Sequence, residues 1–215
     1  MKDKNVGFKY NNIEKKNKNF MYNNLKRSNC YNCDFTGSNF NYVSFRGAHM
    51  KSSDFYGCTF KEAEFIGANL KKSKFRAAKF DGTIFEGVNL EGCEFKDAVF
   101  KNTIFLNTDL SEAKGINLKA EGIRVFDEMP EVEISTELEE ALNAALENKI
   151  IKDSRTLDDK NGNINKLIVM ILLEKFSEKI LVSGLKRFTD EINKEFCTLS
   201  YITRTIKSYV DGGLI

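Results

Sequence analysis

Phe60-Lys61-Glu62-Ala63-Glu64-Phe65-Ile66-Gly67-Ala68-Asn69-Leu70-Lys71-Lys72-Ser73-Lys74-Phe75-Arg76-Ala77-Ala78-Lys79-Phe80 keeps a period of five residues, and that period decides the fold. Outward from this stretch, every fifth residue from Phe20 to Leu110 is apolar, nineteen in all, and thirteen of the chain's eighteen Phe share the register. A smaller series runs two places ahead of it. From residue 48 it reads Ala48, Ser53, Cys58, Ala63, Ala68, Ser73, Ala78, Thr83, Val88, Cys93, Ala98, Thr103, Thr108 and Ala113. The three remaining positions of each five are mostly Lys, Glu, Asp, Asn, Gly or Arg.

A helix repeats every 3.6 residues and a strand every two, so a period of five fits neither. A fixed internal period is the mark of a repeat architecture. One large and one small inward residue, with three outward ones, describe one side of a coiled, β-like solenoid. Met50, Leu70, Leu90 and Leu110 interrupt the Phe series at intervals of twenty, so four fives make one turn. These aliphatic residues then stack on one face, and Phe rings fill the other three by dispersion and offset stacking. With strands about 4.8 Å apart, five coils make a rod about 24 Å long. Gly37, Gly47, Gly57, Gly67, Gly82, Gly87 and Gly92 fall at its corners, where the backbone must be permissive.

The units Ala68-Asn69-Leu70-Lys71-Lys72, Val88-Asn89-Leu90-Glu91-Gly92 and Ser38-Asn39-Phe40-Asn41-Tyr42 resemble the pentapeptide-repeat family, whose unit is Ala-(Asp/Asn)-Leu/Phe-x-x. The resemblance covers residues 20–126 and implies a right-handed quadrilateral β-helix. Family members that protect DNA gyrase from quinolone drugs resemble duplex DNA in shape and negative charge. Such a mimic needs a plainly acidic surface, because phosphate charge dominates what a DNA-binding groove recognises. Residues 20–115 carry 13 Lys/Arg against 11 Asp/Glu, net +2, which disfavours a topoisomerase-directed DNA mimic. The densest charge is basic, at Lys71, Lys72, Lys74, Arg76 and Lys79. Glu91 and Glu94 fall one coil above Lys71 and Lys74, so part of this surface patch reads as a neutralised ladder between coils.

The rest of the chain is ordinary in composition, with 30% charged and 41% hydrophobic residues and a net charge of +2 that forces no partner. Residues 1–19 carry six Lys against Asp3 and Glu14 and read as an N-terminal arm or cap over the first coil. They hold no apolar core of a signal peptide, and the longest apolar run, Leu167 to Leu173, is too short to span a bilayer. The expected location is cytoplasmic, with no membrane partner. Cys30-x-x-Cys33 suggests a metal or redox motif, but both residues fall in the inward register, as do Cys58 and Cys93. They read as filler of the shaft.

The five-residue register ends after Leu110, and Leu118 and Ile123 suggest one shifted half-coil. Residues 127–162, around Pro130, read as a linker and capping helix, with Thr136-Glu137-Leu138-Glu139 as a capping box. Residues 163–215 read as a small all-α domain. It begins with an apolar helix from Asn163 to about Ile180, followed by a short helix from Thr189 to near Phe196. The final stretch, Leu199-Ser200-Tyr201-Ile202-Thr203-Arg204-Thr205-Ile206-Lys207 through Gly213-Leu214-Ile215, resembles a winged helix-turn-helix core. The resemblance places Ser200, Tyr201, Thr203, Arg204 and Lys207 on an exposed face as DNA contacts. Residues 116–160 hold 6 basic and 12 acidic groups, a poor phosphate binder.

No enzymatic constellation appears. His49 is the only His and has no partner for acid–base or metal chemistry. No phosphate loop, dinucleotide turn or nucleophile elbow is present. A shaft packed with Phe leaves no substrate cavity. The sequence therefore points to a non-enzymatic scaffold for a protein partner, with no cofactor and a helical part that caps the coil or makes a homodimer. The alternative is a DNA-binding regulator acting through residues 189–215.

Overall fold

A computed structural model describes residues 7–215; Met1–Val6, the start of the expected arm, lie outside the described residues. The chain divides into two compact units, Met1–Glu128 and Met129–Ile215.

The first unit is a parallel β-solenoid of about six turns. Its strands are β1 (Lys9–Asn11), β2 (Asn29–Tyr31), β3 (Thr59–Lys61), β4 (Glu64–Ile66), β5 (Lys79–Asp81), β6 (Ile84–Glu86), β7 (Val99–Lys101), β8 (Thr103–Leu106) and β9 (Ile123–Phe126). All pair in parallel, and every register differs by twenty: Phe60 with Phe80, Phe80 with Phe100, Phe65 with Phe85, Phe85 with Phe105. Isolated bridges keep the same step between the strands, from Glu14–Asp34 up to Glu94–Lys114. The pairing begins at Lys9, within the stretch expected as an arm, and so adds to the five coils counted in the sequence.

Three columns of Phe rings run up the shaft. Phe20, Phe40, Phe60, Phe80 and Phe100 stack with centroids 4.8–5.4 Å apart. Phe35, Phe55, Phe75 and Phe95 stack at 4.9–5.2 Å, and Phe45, Phe65, Phe85 and Phe105 at 4.4–4.9 Å. The fourth column is Cys30, Met50, Leu70 and Leu90, all buried. The inward small residues have a second task. The Ser53 hydroxyl donates to the Cys30 carbonyl of the coil below at 3.2 Å, Ser73 to Met50 at 2.6 Å, and the Cys58 and Cys93 thiols to Phe35 and Leu70 at 3.0 Å each. A polar atom can therefore stand in the shaft without being left unsatisfied. All five Cys are free and buried, with those of the repeat seated as filler.

Every fifth residue from Asn12 to Asn107 has positive φ and turns a corner. Gly and Asn adopt this conformation at little cost, but Tyr22, Lys72 and Ala77 adopt it too. Their amides donate to Asn41, Glu91 and Lys96 carbonyls one coil up, at 3.2, 2.8 and 3.0 Å, which offsets the strain. At the last coil the half-turn expected to be shifted returns to register, with Ile123 opposite Thr103. Gly122 permits this, because a Cβ there would lie 2.2 Å from the Phe100 carbonyl oxygen.

The second unit contains α1 (Thr136–Glu147), α2 (Lys149–Ser154), α3 (Lys166–Leu173), α4 (Glu178–Glu191) and α5 (Leu199–Asp211). Ser135, not Thr136, is the N-cap of α1; its hydroxyl accepts from the Leu138 amide at 3.2 Å. The reciprocal carboxylate comes from α4, where Glu178 accepts the Ser135 amide at 2.5 Å. The helix expected over Asn163–Ile180 is two helices, because Asn165 caps one and Ser177 caps the next. Nor does a new helix start at Thr189, whose hydroxyl bonds back to the Leu185 carbonyl at 2.8 Å inside α4. The residues after it, Asn193–Thr198, form a loop that leads to α5. α4 crosses α5 closely at Gly184, where a Cβ would meet Ile206 Cγ2 at 2.8 Å.

Candidate functional site

In β1 to β8 the residue in the five-residue register enters the shaft and its two flanking residues point away from it. On most of the solenoid those neighbours are polar, as the sequence pattern expects. The face built on Phe65, Phe85 and Phe105 departs from this. Ile66 on β4, Ile84 on β6, and Ile104 and Leu106 on β8 occupy outward positions on three successive coils. All four are buried, and none belongs to the shaft's core cluster. Apolar side chains on both sides of one sheet are the pattern of a sheet packed on both faces. Sequence reasoning counted the outward positions together and so missed this column. Sorting them by their place in the twenty-residue turn would have found it.

The basic patch is less concentrated than its sequence suggests. Lys71 stands on the Leu70 face, Lys72 at the next corner, Lys74 and Arg76 on the Phe75 face, and Lys79 on the Phe80 face. The five charges thus wrap around three sides of the rod. Lys71 Nζ pairs with Glu91 of the coil above at 2.7 Å, the inter-coil neutralisation the register implies. Lys74 lies in a column of alternating sign, between Asp54 and Glu94. Exposed pairs of this kind contribute little to stability, yet they lower the potential an anion would feel.

The expected DNA-contacting face of α5 is only partly exposed, which corrects the sequence reading. Ser200 is 2% exposed and Thr203 is 9%, so neither reaches a groove. Both fall with Leu199, Ile202 and Ile206 on the buried side of α5. The Ser200 hydroxyl lies 3.0 Å from that of Thr198, the helix cap. Tyr201 is half-buried, with its ring edge-on to Phe188 at 5.5 Å. Arg204 and Lys207 are exposed; Arg204 Nε donates to the Ser200 carbonyl at 3.1 Å. The helix expected before the turn is not formed, so α4 and α5 are joined by a longer connection than a helix-turn-helix uses.

His49 is exposed at the flank of Met50, and among the described residues no group of three or more His, Cys, Asp or Glu could hold a metal ion. Among the same residues no helix is long and apolar enough to cross a membrane.

Comparison with known proteins places the solenoid. Two family models, both described as pentapeptide repeats, match residues 28–65 and 52–104. No curated protein matches the chain. Solved structures that match include HetL, a pentapeptide repeat protein involved in heterocyst differentiation regulation from Nostoc sp. strain PCC 7120. It is 19% identical with a TM-score of 0.43, and the match covers 51% of this chain and 50% of that one. This chain thus spans only half of HetL. A pentapeptide repeat protein from the Arabidopsis thaliana thylakoid lumen is 16% identical over 74% of this chain and 88% of its own, with a TM-score of 0.26. QnrB1, a plasmid-mediated fluoroquinolone resistance protein, is 14% identical over 56% of this chain and 85% of its own, with a TM-score of 0.18. The five-residue register, the twenty-residue turn and the two family models together make the N-terminal solenoid a pentapeptide-repeat domain.

Proposed function

We propose that this protein is a non-enzymatic scaffold whose solenoid packs one face against protein. The observation that carries the reading is the rigid shaft of stacked Phe rings, which holds the outward side chains of every coil at a fixed register. The column Ile66, Ile84, Ile104 and Leu106 is already buried within the chain, so the surface open to a partner is another one, the edge where Tyr56 and Val99 stand 50% and 57% exposed on either side of one corner. The stacked Phe shaft behind that edge is rigid, so it is presented without an ordering cost.

A photo-crosslinking amino acid placed at Tyr56, on this edge, tests the reading against one placed at His49 on another face. The expected result is a discrete protein adduct from position 56 in the protein's own cells, absent from position 49. Val99→Lys, at an exposed position, should remove it while far-UV circular dichroism still shows the folded solenoid. Equal adducts from both positions, or an adduct indifferent to Val99→Lys, would overturn the reading.

A further inference from the structure

The helical unit carries a groove of about 750 Å³ that the scaffold reading does not use. Val132, Ile134, Ile164 and Val169 give it an apolar lining, and Glu133 and Glu139 stand exposed along it. These two carboxylates belong to a larger acidic field, for residues 127–148 hold eight Asp or Glu and no Lys or Arg. The field already shows what it accepts: Lys166, which also lines the groove, is ion-paired with Glu131. The main chain adds a third feature. Among the described residues, Glu131–Ile134 make no backbone hydrogen bond, although Val132, Glu133 and Ile134 line the groove.

We propose that this groove is the docking site for an unstructured basic segment of a partner protein, one in which Lys or Arg alternate with aliphatic residues. Alternation suits the site because an extended peptide sends successive side chains to opposite sides. The aliphatic residues enter the Val132, Ile134, Ile164 and Val169 lining, and the cations face Glu133 and Glu139. The free amide and carbonyl groups of residues 131–134 can then pair with the peptide's own main chain, the means by which extended peptides gain affinity without sequence preference. The same charges repel acidic peptides and nucleic acid.

The test uses the full-length chain and a fluorescent nonapeptide alternating Leu and Lys, read by anisotropy. Two control peptides replace Leu by Ser, or Lys by Glu. The expected result is saturable binding of the Leu/Lys peptide alone, with backbone amide shifts at Val132, Ile134, Ile164 and Val169. Glu133→Lys with Glu139→Lys should weaken it about tenfold, as reversal of facing charges does; both residues are exposed, and unchanged circular dichroism confirms the fold. Equal binding of the Ser/Lys peptide would reduce the site to non-specific charge. Equal binding of the Leu/Glu peptide would remove the acidic selection. No saturation, an unaffected double variant, or shifts confined to other residues would each overturn the proposal.

Discussion

Phe75 stands at the middle of the shaft, and replacing it tests whether the columns of rings hold the solenoid together. Its ring is fully buried, stacked on Phe55 at 4.9 Å and on Phe95 at 5.1 Å, and meets Phe60, Phe65 and Phe80 at 5.9, 6.5 and 5.9 Å. Phe→Ala in a core costs about 3–5 kcal/mol. Each well-placed aromatic pair contributes about 0.5–1.5 kcal/mol beyond its area. With five ring neighbours, Phe75→Ala should fall at the upper end, about 5 kcal/mol. Phe75→Leu should cost much less, about 1.5 kcal/mol, because Leu70 and Leu90 fill the equivalent place on the neighbouring face. Phe100→Ala is the internal control. Phe100 is half-buried, stacks on Phe80 and meets Phe95 and Phe105 at 5.8 and 6.2 Å, three ring neighbours against five, so about 2 kcal/mol is expected. Equilibrium urea unfolding followed by tyrosine fluorescence is the assay. The chain has no Trp, and five of its seven Tyr lie in the solenoid, so the signal reports mainly on that unit. A cost below about 1 kcal/mol for Phe75→Ala, or one no larger than that for Phe100→Ala, would refute the reasoning.

Four further outcomes follow from particular contacts. Ser73→Ala removes the 2.6 Å bond to the Met50 carbonyl and should cost about 1 kcal/mol in the same urea assay, while Ser73→Cys should retain part of it. Gly122→Ala should destabilise the last coil by about 2 kcal/mol, since its Cβ would meet a carbonyl oxygen at 2.2 Å; hydrogen exchange at Ile123–Phe126 should rise selectively. Burial pushes the Cys58 and Cys93 thiols up to about 12, so both should resist alkylation at pH 8 until the solenoid unfolds. Their folded values exceed the ordinary 9.0, so the stability they contribute is complete below pH 9 and declines as pH rises towards about 12. The Ser135 side chain, and after it the Ser135 amide, hold the Glu178 carboxyl below its ordinary 4.5. Its stabilisation of the helical unit is therefore present above pH 4.5 and lost as pH falls through the lower folded value; Glu178→Gln should abolish that acid dependence in thermal melts.

The solenoid was legible because its signal is redundant. Nineteen positions share one register, and the Leu substitutions at 50, 70, 90 and 110 (Met at 50) reveal the turn length without any structure. Its first coil was less so, because Tyr10 stands in the column of Cys30, Met50 and Leu70, and Lys15 replaces the Phe expected below Phe35. The column Ile66, Ile84, Ile104 and Leu106 was hidden for a different reason. Its members are 18, 20 and 2 residues apart and become neighbours only after the chain is wound. The helical unit was harder to read because its boundaries rest on single caps. Ser177 breaks an apolar run that periodicity alone would continue, and Glu178 completes the cap of a helix 43 residues away. Thr203 lies four residues after Leu199, on the stripe that faces the core, so its burial follows from helical spacing once the helix start is known.

The twenty-residue turn can be tested most directly by deletion. Removing Lys71–Leu90 takes out one whole turn and leaves every column, including Ile66 and Ile104, in line. Removing Lys71–Phe75 takes out a quarter turn, sets Leu90 above Phe65 and carries Ile84, Ile104 and Leu106 off the Ile66 face. Thermal unfolding of the two deletion variants is the measurement. The twenty-residue deletion should melt cooperatively near the full-length chain, and the five-residue deletion about 10 °C or more below it, although it loses less of the core. A five-residue deletion as stable as the twenty-residue one would contradict the four-sided register on which the proposed protein-binding face depends.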